Sequence, residues 1–296
     1  MAKPVTTPVT PSAVAVKQRA IQIDKARQAA VESVAAALTL LYATYFRAVE
    51  SAIESDIDSD ATIDRGSLTG VMNDLEKLLS QAGFALLISH FASHFRPLAE
   101  VATSYFVDFG FDSSLTGVPA QALAAWVDHS ASELTTLVDQ SIVSPVRSAL
   151  LQTNFGAMTR DELVDQIQAL GPTVSTNDAV VAVDNAYAQF QRQVITSKGK
   201  ALGLDIFQFL GPDDDITSDQ CEFMLHVDWH GAGGFLYKDE ITSHLHPWLE
   251  KYNWNPLTGG GHPRCRHVWS PVTLAYAQQH GFDPNSQDRG DAEGDE

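Results

Sequence analysis

Residues 30–53 read AVESVAAALTLLYATYFRAVESAI. Ala30, Val34, Ala37, Leu38, Leu41, Tyr45, Val49 and Ile53 recur at three- and four-residue steps, which places them along one face of a helix. One long helix is therefore expected from about Ala13 to Ser55. Upstream, residues 1–12 are dominated by Pro and Thr, show no periodicity and read as a flexible tail. Downstream, Glu54, Asp56, Asp58, Asp60 and Asp64 read as a solvated acidic loop.

The helical pattern continues. Leu68, Val71, Met72, Leu75, Leu78 and Leu79 form the stripe of a helix from about Ser67 to His94. Its second half is apolar on all sides (Phe84, Leu86, Leu87, Ile88, Phe91), which points to burial. Pro97 ends or kinks it, since proline lacks the N–H and clashes with the preceding turn. A short helix is expected at Leu98–Phe106 and a loop at GFDSSLTGVP (110–119), with Pro119 well placed to open the next helix. That helix spans Ala120–Leu151 with a kink at Pro145. Thr159 and Glu162 form a capping-box pair for a helix ending at Gly171. Thr176 or Asn177 caps a helix to about Lys200, with Val180, Val183, Ala186, Tyr187, Phe190 and Val194 facing inward.

At residue 203 the helical period stops and Gly, Pro, His and Trp become dense. Four of the five tryptophans and seven of the ten histidines lie beyond this point, where an even spread would put about three histidines. Both cysteines, Cys221 and Cys265, lie there too. Asp205–Leu210 and Phe235–Tyr237 read as strands and Leu274–His280 as a short helix. The tail 281–296, acidic from Asp283 on, is expected to be disordered. The fold class is thus mainly α: a helical body, residues 13–200, followed by a small α+β Cys/His-rich module, residues 203–272.

Composition narrows the function. The net charge is −18 and the pI about 4.8, so bulk attraction to nucleic acid is excluded and any DNA contact must be local. Ala35–Tyr45 is too short to span a bilayer, the N-terminus has no uninterrupted apolar run of the signal-peptide kind, and no membrane association is expected. With two cysteines in 296 residues, a disulfide framework is not the design.

The chemistry-bearing strings are GPDDDITSDQC (211–221) and GGGHPRCRHVWSP (259–271). His262, Cys265 and His267 put three potential metal ligands within six residues, and Cys221 supplies a fourth from a distant loop. A loop-rich module has little area to bury, and a tetrahedral Zn²⁺ on thiolate and imidazole ligands offsets that deficit by on the order of 10 kcal/mol. His226, His230, His244 and His246 are alternative ligands. The competing readings are two plain buried cysteines, a disulfide, and ordinary loop histidines.

These strings resemble the C-terminal pattern of phage head-morphogenesis proteins of the phage Mu protein F-like family. In that pattern a helix and a strand lead into an Asp–x–x–Thr–Ser/Cys–x–x–Cys turn, here Asp214, Thr217, Ser218 and Cys221. A glycine region and a closing His-Pro-x-Cys-Arg-Cys/His follow, here His262, Pro263, Cys265, Arg266 and His267, with Pro271 nearby. The similarity covers about residues 175–272. Ser218 and His267 stand where many members have cysteine, so the ligand set it implies is mixed: Cys221, His262, Cys265 and His267. The resemblance implies a minor capsid protein, not an enzyme. It would sit inside the virion head near the portal after synthesis in the host cytoplasm. Its partners would be the portal or major capsid protein, packaged DNA through local contacts, and further copies of itself.

Other constellations are weaker. His90 and His94 have helical zinc-pair spacing, but Phe91 stands where a zincin needs Glu. Asp213–Asp215 could hold Mg²⁺ or form an acidic turn. Arg264 and Arg266 could meet phosphate or a carboxylate. The rival function is a metal-dependent nuclease or hydrolase using Asp213–Asp215 and the histidines. A third is an ejection or tail-adaptor component.

Overall fold

The computed structural model describes residues 9–57, 63–153, 158–170, 176–212, 217–226, 230–231, 234–244, 257 and 265–286. Helices dominate, as the periodicity requires. They are α1 (Ala13–Asp56), α2 (Arg65–Gln81), α3 (Phe84–Ser93), α4 (Phe95–Ser104), α5 (Ala120–Val138), α6 (Ser144–Gln152), α7 (Arg160–Leu170), α8 (Asn177–Ala201), α9 (Asp219–His226), α10 (Lys238–His244) and α11 (Leu274–Gln279). A 3₁₀ turn at Tyr105–Phe109 follows α4, and a π turn at Asp139–Val143 links α5 to α6.

The expected helix 67–94 is two helices. Gly83 adopts φ 101°, a left-handed conformation that stops α2 and restarts the chain as α3. The apolar run here is not buried all round: Leu87 and Phe91 face inward, while Leu86 is 76% exposed. Pro97 sits in the first turn of α4, where its missing N–H costs nothing. Over the 120–151 segment, the chain stays helical, passing from α5 through the π turn into α6 with Pro145 in the first turn of α6. The capping box is formed: the Thr159 N–H donates to Glu162 Oε2 at 2.8 Å and the Glu162 N–H to Thr159 Oγ1 at 3.3 Å.

α1 is long enough, and apolar enough over an 18-residue window, to meet the length and composition of a membrane span, which corrects the reading taken from Ala35–Tyr45 alone. Its apolar residues Val34, Leu38, Leu41, Tyr45 and Val49 are buried in the fold, and a core helix passes the same test.

Three strands form one antiparallel sheet in the order β2-β1-β3: β1 (Ile206–Leu210), β2 (Phe235–Tyr237) and β3 (Val268–Val272). Ile206 lies opposite both Tyr237 and Val272, and Leu210 opposite Val268. The sequence reading missed β3 because Pro271 argues against a strand. β3 is at the sheet edge, where proline is tolerated.

The chain divides into two compact units. One gathers residues 1–29, 95–126 and 184–296, and the other residues 30–94 and 127–183. In the first, Phe95 packs edge-on against Tyr187 and Phe190 of α8, and Trp269, Phe207 and Phe209 fill the space beside the sheet. In the second, Leu68, Val71 and Leu75 of α2 are buried, and Tyr42 of α1 meets Ser141 at 2.7 Å.

Candidate metal centre

Cys221 lies on the first turn of α9, and Cys265 and His267 lie just before β3. α9 starts where it does because Ser218 caps it: Ser218 Oγ accepts the Cys221 N–H at 3.3 Å and Ser218 O accepts the Glu222 N–H at 2.8 Å. Ser218 is thus a positioning residue for the cysteine, not a ligand.

The ligand atoms of Cys221, Cys265 and His267 lie within 4.8 Å of one another, and all three residues are buried. Sγ of Cys221 is 3.5 Å from Sγ of Cys265, which is 3.9 Å from Nδ1 of His267. Tetrahedral zinc with S and N ligands needs ligand–ligand edges of about 3.5–3.8 Å, and the Sγ–Sγ and Sγ–Nδ1 separations lie close to that range.

The imidazole is fixed in the matching orientation. His267 Nε2 is 2.6 Å from Pro212 O, a group that can only accept, so Nε2 carries the proton and Nδ1 presents its lone pair to the sulfurs. The Thr217 hydroxyl donates to the same carbonyl at 3.2 Å. The Phe209 ring stacks on the imidazole, with centroids 5.2 Å apart and planes 13° from parallel. Gly211 leaves room for it: a Cβ there would sit 2.2 Å from His267 Cδ2.

A buried cation stands behind the site. Arg192 of α8 donates to the carbonyls of His267, at 3.1 Å, and of Cys265. Burial lowers the pKa of its guanidinium, and the negative charge of Cys265 partly restores it. The two thiols titrate as a pair. Cys265 falls well below the ordinary thiol value, first because the Cys221 S–H bonds its thiolate, with the Arg192 charge assisting. Cys221 is pushed up, first by that same hydrogen bond and then by burial. A cation bound there would favour both sulfurs as thiolates.

The cysteines also belong to the apolar cluster of Phe207, Phe209, Met224, Leu236, Ile241 and Trp269. Plain burial is therefore part of the description, but it does not account for the orientation of Nδ1. A crevice of about 20 Å³, room for one water, touches Cys265 and His267 and is bordered by Arg27 and Arg192.

His262 lies outside the described residues, as do His246, Asp213–Asp215, Arg264 and most of the His/Trp-rich segment 226–254. Of the alternative ligands, His230 is committed elsewhere. Its Nε2 lies 2.8 Å from Glu240 Oε1, and its Nδ1 lies 3.0 Å from Ser286 O. His226 is at the exposed end of α9, apart from the cluster. His90 bonds Ser33 at 2.9 Å and packs edge-on against His94, and no third ligand joins them among the described residues. Sequence reasoning missed Arg192 and Gly211. Arg192 carried a weak signal, a charge among the apolar positions of α8, whereas Gly211 carried none.

No protein family, curated protein or solved structure matches the chain.

Proposed function

We propose that the chain is a non-enzymatic minor head protein of a tailed bacteriophage, and that Cys221, Cys265 and His267 hold a structural Zn²⁺ that staples its C-terminal module. The observation that supports this is the convergence of two thiols and an imidazole nitrogen from the two strings that resemble head-morphogenesis proteins. Thiolate and imidazole suit zinc, and burial on all three residues suits a structural site. His262, from the same closing string, is the candidate fourth ligand. In this reading the sheet and α8 form a rigid anchor, and the long helices carry the contacts to portal or major capsid protein inside the head, near the portal. Packaged DNA would be met only through local contacts, and self-association is compatible with both.

The test is metal content per chain on purified wild type, on Cys221→Ser/Cys265→Ser, and on His262→Ala. One zinc per chain in the wild type, lost in the double variant, is expected. His262→Ala should bind zinc more weakly, by more than the about 10- to 100-fold that loss of an outer-shell partner costs. A metal-free wild type whose two cysteines are oxidised to a disulfide would overturn the staple. Undiminished affinity in His262→Ala would make an open coordination position, and with it the hydrolase reading, the better account. Co-purification with a portal ring from a shared expression system tests the assembly role.

A further inference from the structure

Between Glu32 and Arg47, α1 turns one face to the core and the other to solvent. Val34, Leu38, Leu41 and Tyr45 are buried, whereas Glu32, Ala36, Thr39, Leu40, Ala43 and Arg47 are exposed. At 3.6 residues per turn the exposed six fall within an arc of about 100°. Leu40, in the middle of that arc's length, is 65% exposed. An 18-residue stretch of this helix has a mean hydropathy of 1.4, yet only 39% of it is buried. An apolar helix with an open face of this kind is a surface for a partner.

The charges on the face say which partner. The chain carries 37 acidic against 19 basic residues, so most of its surface repels a second copy. Residues 32–47 are balanced, with one acid and one base, Glu32 and Arg47, at the two ends. They stand about 22 Å apart along the helix, too far to meet within one chain. Neither forms an ion pair among the described residues. Arg47 Nε donates to the Ala43 carbonyl at 3.0 Å, which leaves the two terminal guanidinium nitrogens for another acceptor. The steps between the six exposed residues, 4, 3, 1, 3 and 4, are the same read from either end. A second α1 laid antiparallel on this face, about a two-fold axis between Thr39 and Leu40, therefore sets Glu32 level with Arg47 of the other copy, twice over. Ala36 comes level with Ala43, where small side chains let the helices approach, and the two Leu40 side chains cover each other across the axis. A parallel pairing would instead set Glu32 against Glu32 and Arg47 against Arg47.

We infer that this face of α1 pairs two copies of the chain, antiparallel and two-fold symmetric. The contact spans about four helical turns and falls short of the roughly 800 Å² per partner of a standard interface, so the dimer is weak, with Kd on the order of 10–100 µM. The inference names a surface for the self-association that the head-protein reading allows, and it stands whether or not that reading or the metal does.

The test is sedimentation equilibrium of the full chain from about 1 to 200 µM at about 0.15 M salt. A reversible monomer–dimer equilibrium is expected. Glu32→Arg and Arg47→Glu should each weaken it about tenfold, because each sets like charges opposite one another at two places. The double variant Glu32→Arg/Arg47→Glu should restore it to within about threefold, since the swap recreates both pairs in an antiparallel dimer and in no parallel one. Leu40→Asp should abolish it. Lys77→Glu, a charge reversal on exposed α2, should leave it unchanged. A chain that stays monomeric to about 200 µM would overturn the inference, and flotation of that monomer with phosphatidylcholine vesicles would assign the face to a membrane surface instead. Dimers that ignore the single reversals, or that the double swap does not restore, would overturn it as well.

Discussion

His267 is held on three sides: Pro212 O fixes its proton, Phe209 covers its face, and Gly211 leaves the gap it fills. Each contact acts on where Nδ1 points, so the site should be sensitive to a single methyl group. Gly211→Ala would force a Cβ into the imidazole, with His267 Cα only 3.0 Å away, and backbone cannot swing aside as a side-chain tip can. The expected outcome is about 1–3 kcal/mol of lost stability, together with weaker metal binding. Thermal denaturation and zinc titration of the variant would check it. Unchanged values in both would mean that the imidazole is not locked as described.

At the scale of elements, the helix starts are explained by side chains near them in sequence. Ser218 caps α9, Thr273 caps α11 and Asp64 caps α2. Asp64 is exposed, yet its carboxylate is held below the ordinary value of 3.8, first by the Ser67 N–H, then by the Ser67 hydroxyl and the Gly66 N–H. Because the folded value is depressed, its contribution is complete above about pH 3.8 and is lost as pH falls through the lower folded value. The stability difference between wild type and Asp64→Ala should therefore shrink as pH drops below that point. Urea midpoints measured from pH 6 to 2 would show it, with Asp64→Asn, which caps without titrating, as the control. A pH-independent difference would remove the carboxylate from the account.

At the scale of the molecule, the candidate metal centre lies in a unit drawn from three separated stretches of chain, residues 1–29, 95–126 and 184–296. Arg192 joins α8 to the carbonyls of Cys265 and His267, and Lys198 joins it to the 112–117 loop. Cys265→Ser should accordingly lower hydrogen-exchange protection across the sheet and the part of α8 from residue 184 on, and also in residues 95–126. Residues 30–94 and 127–183, with a core of their own, should keep theirs. Equal loss in both units, or loss confined to residues 203–272, would show that cooperativity does not follow these contacts.

The sequence by itself determined the mainly helical class, the buried faces of α1, α2 and α8, the capping box at Thr159 and Glu162, and two of the three strands. These follow from periodicity and from side chains acting within a few residues of themselves. It also singled out Cys221, Cys265 and His267 by residue type. Only the tertiary structure decided that these three meet, that Ser218 caps rather than ligates, that His230 is committed to Glu240, and that a strand containing Pro271 closes the sheet edge. Spacing along a chain does not encode which distant loop a residue will face. That depends on how the sheet register and the packing of α8 bring positions 192, 211, 221 and 267 to one point.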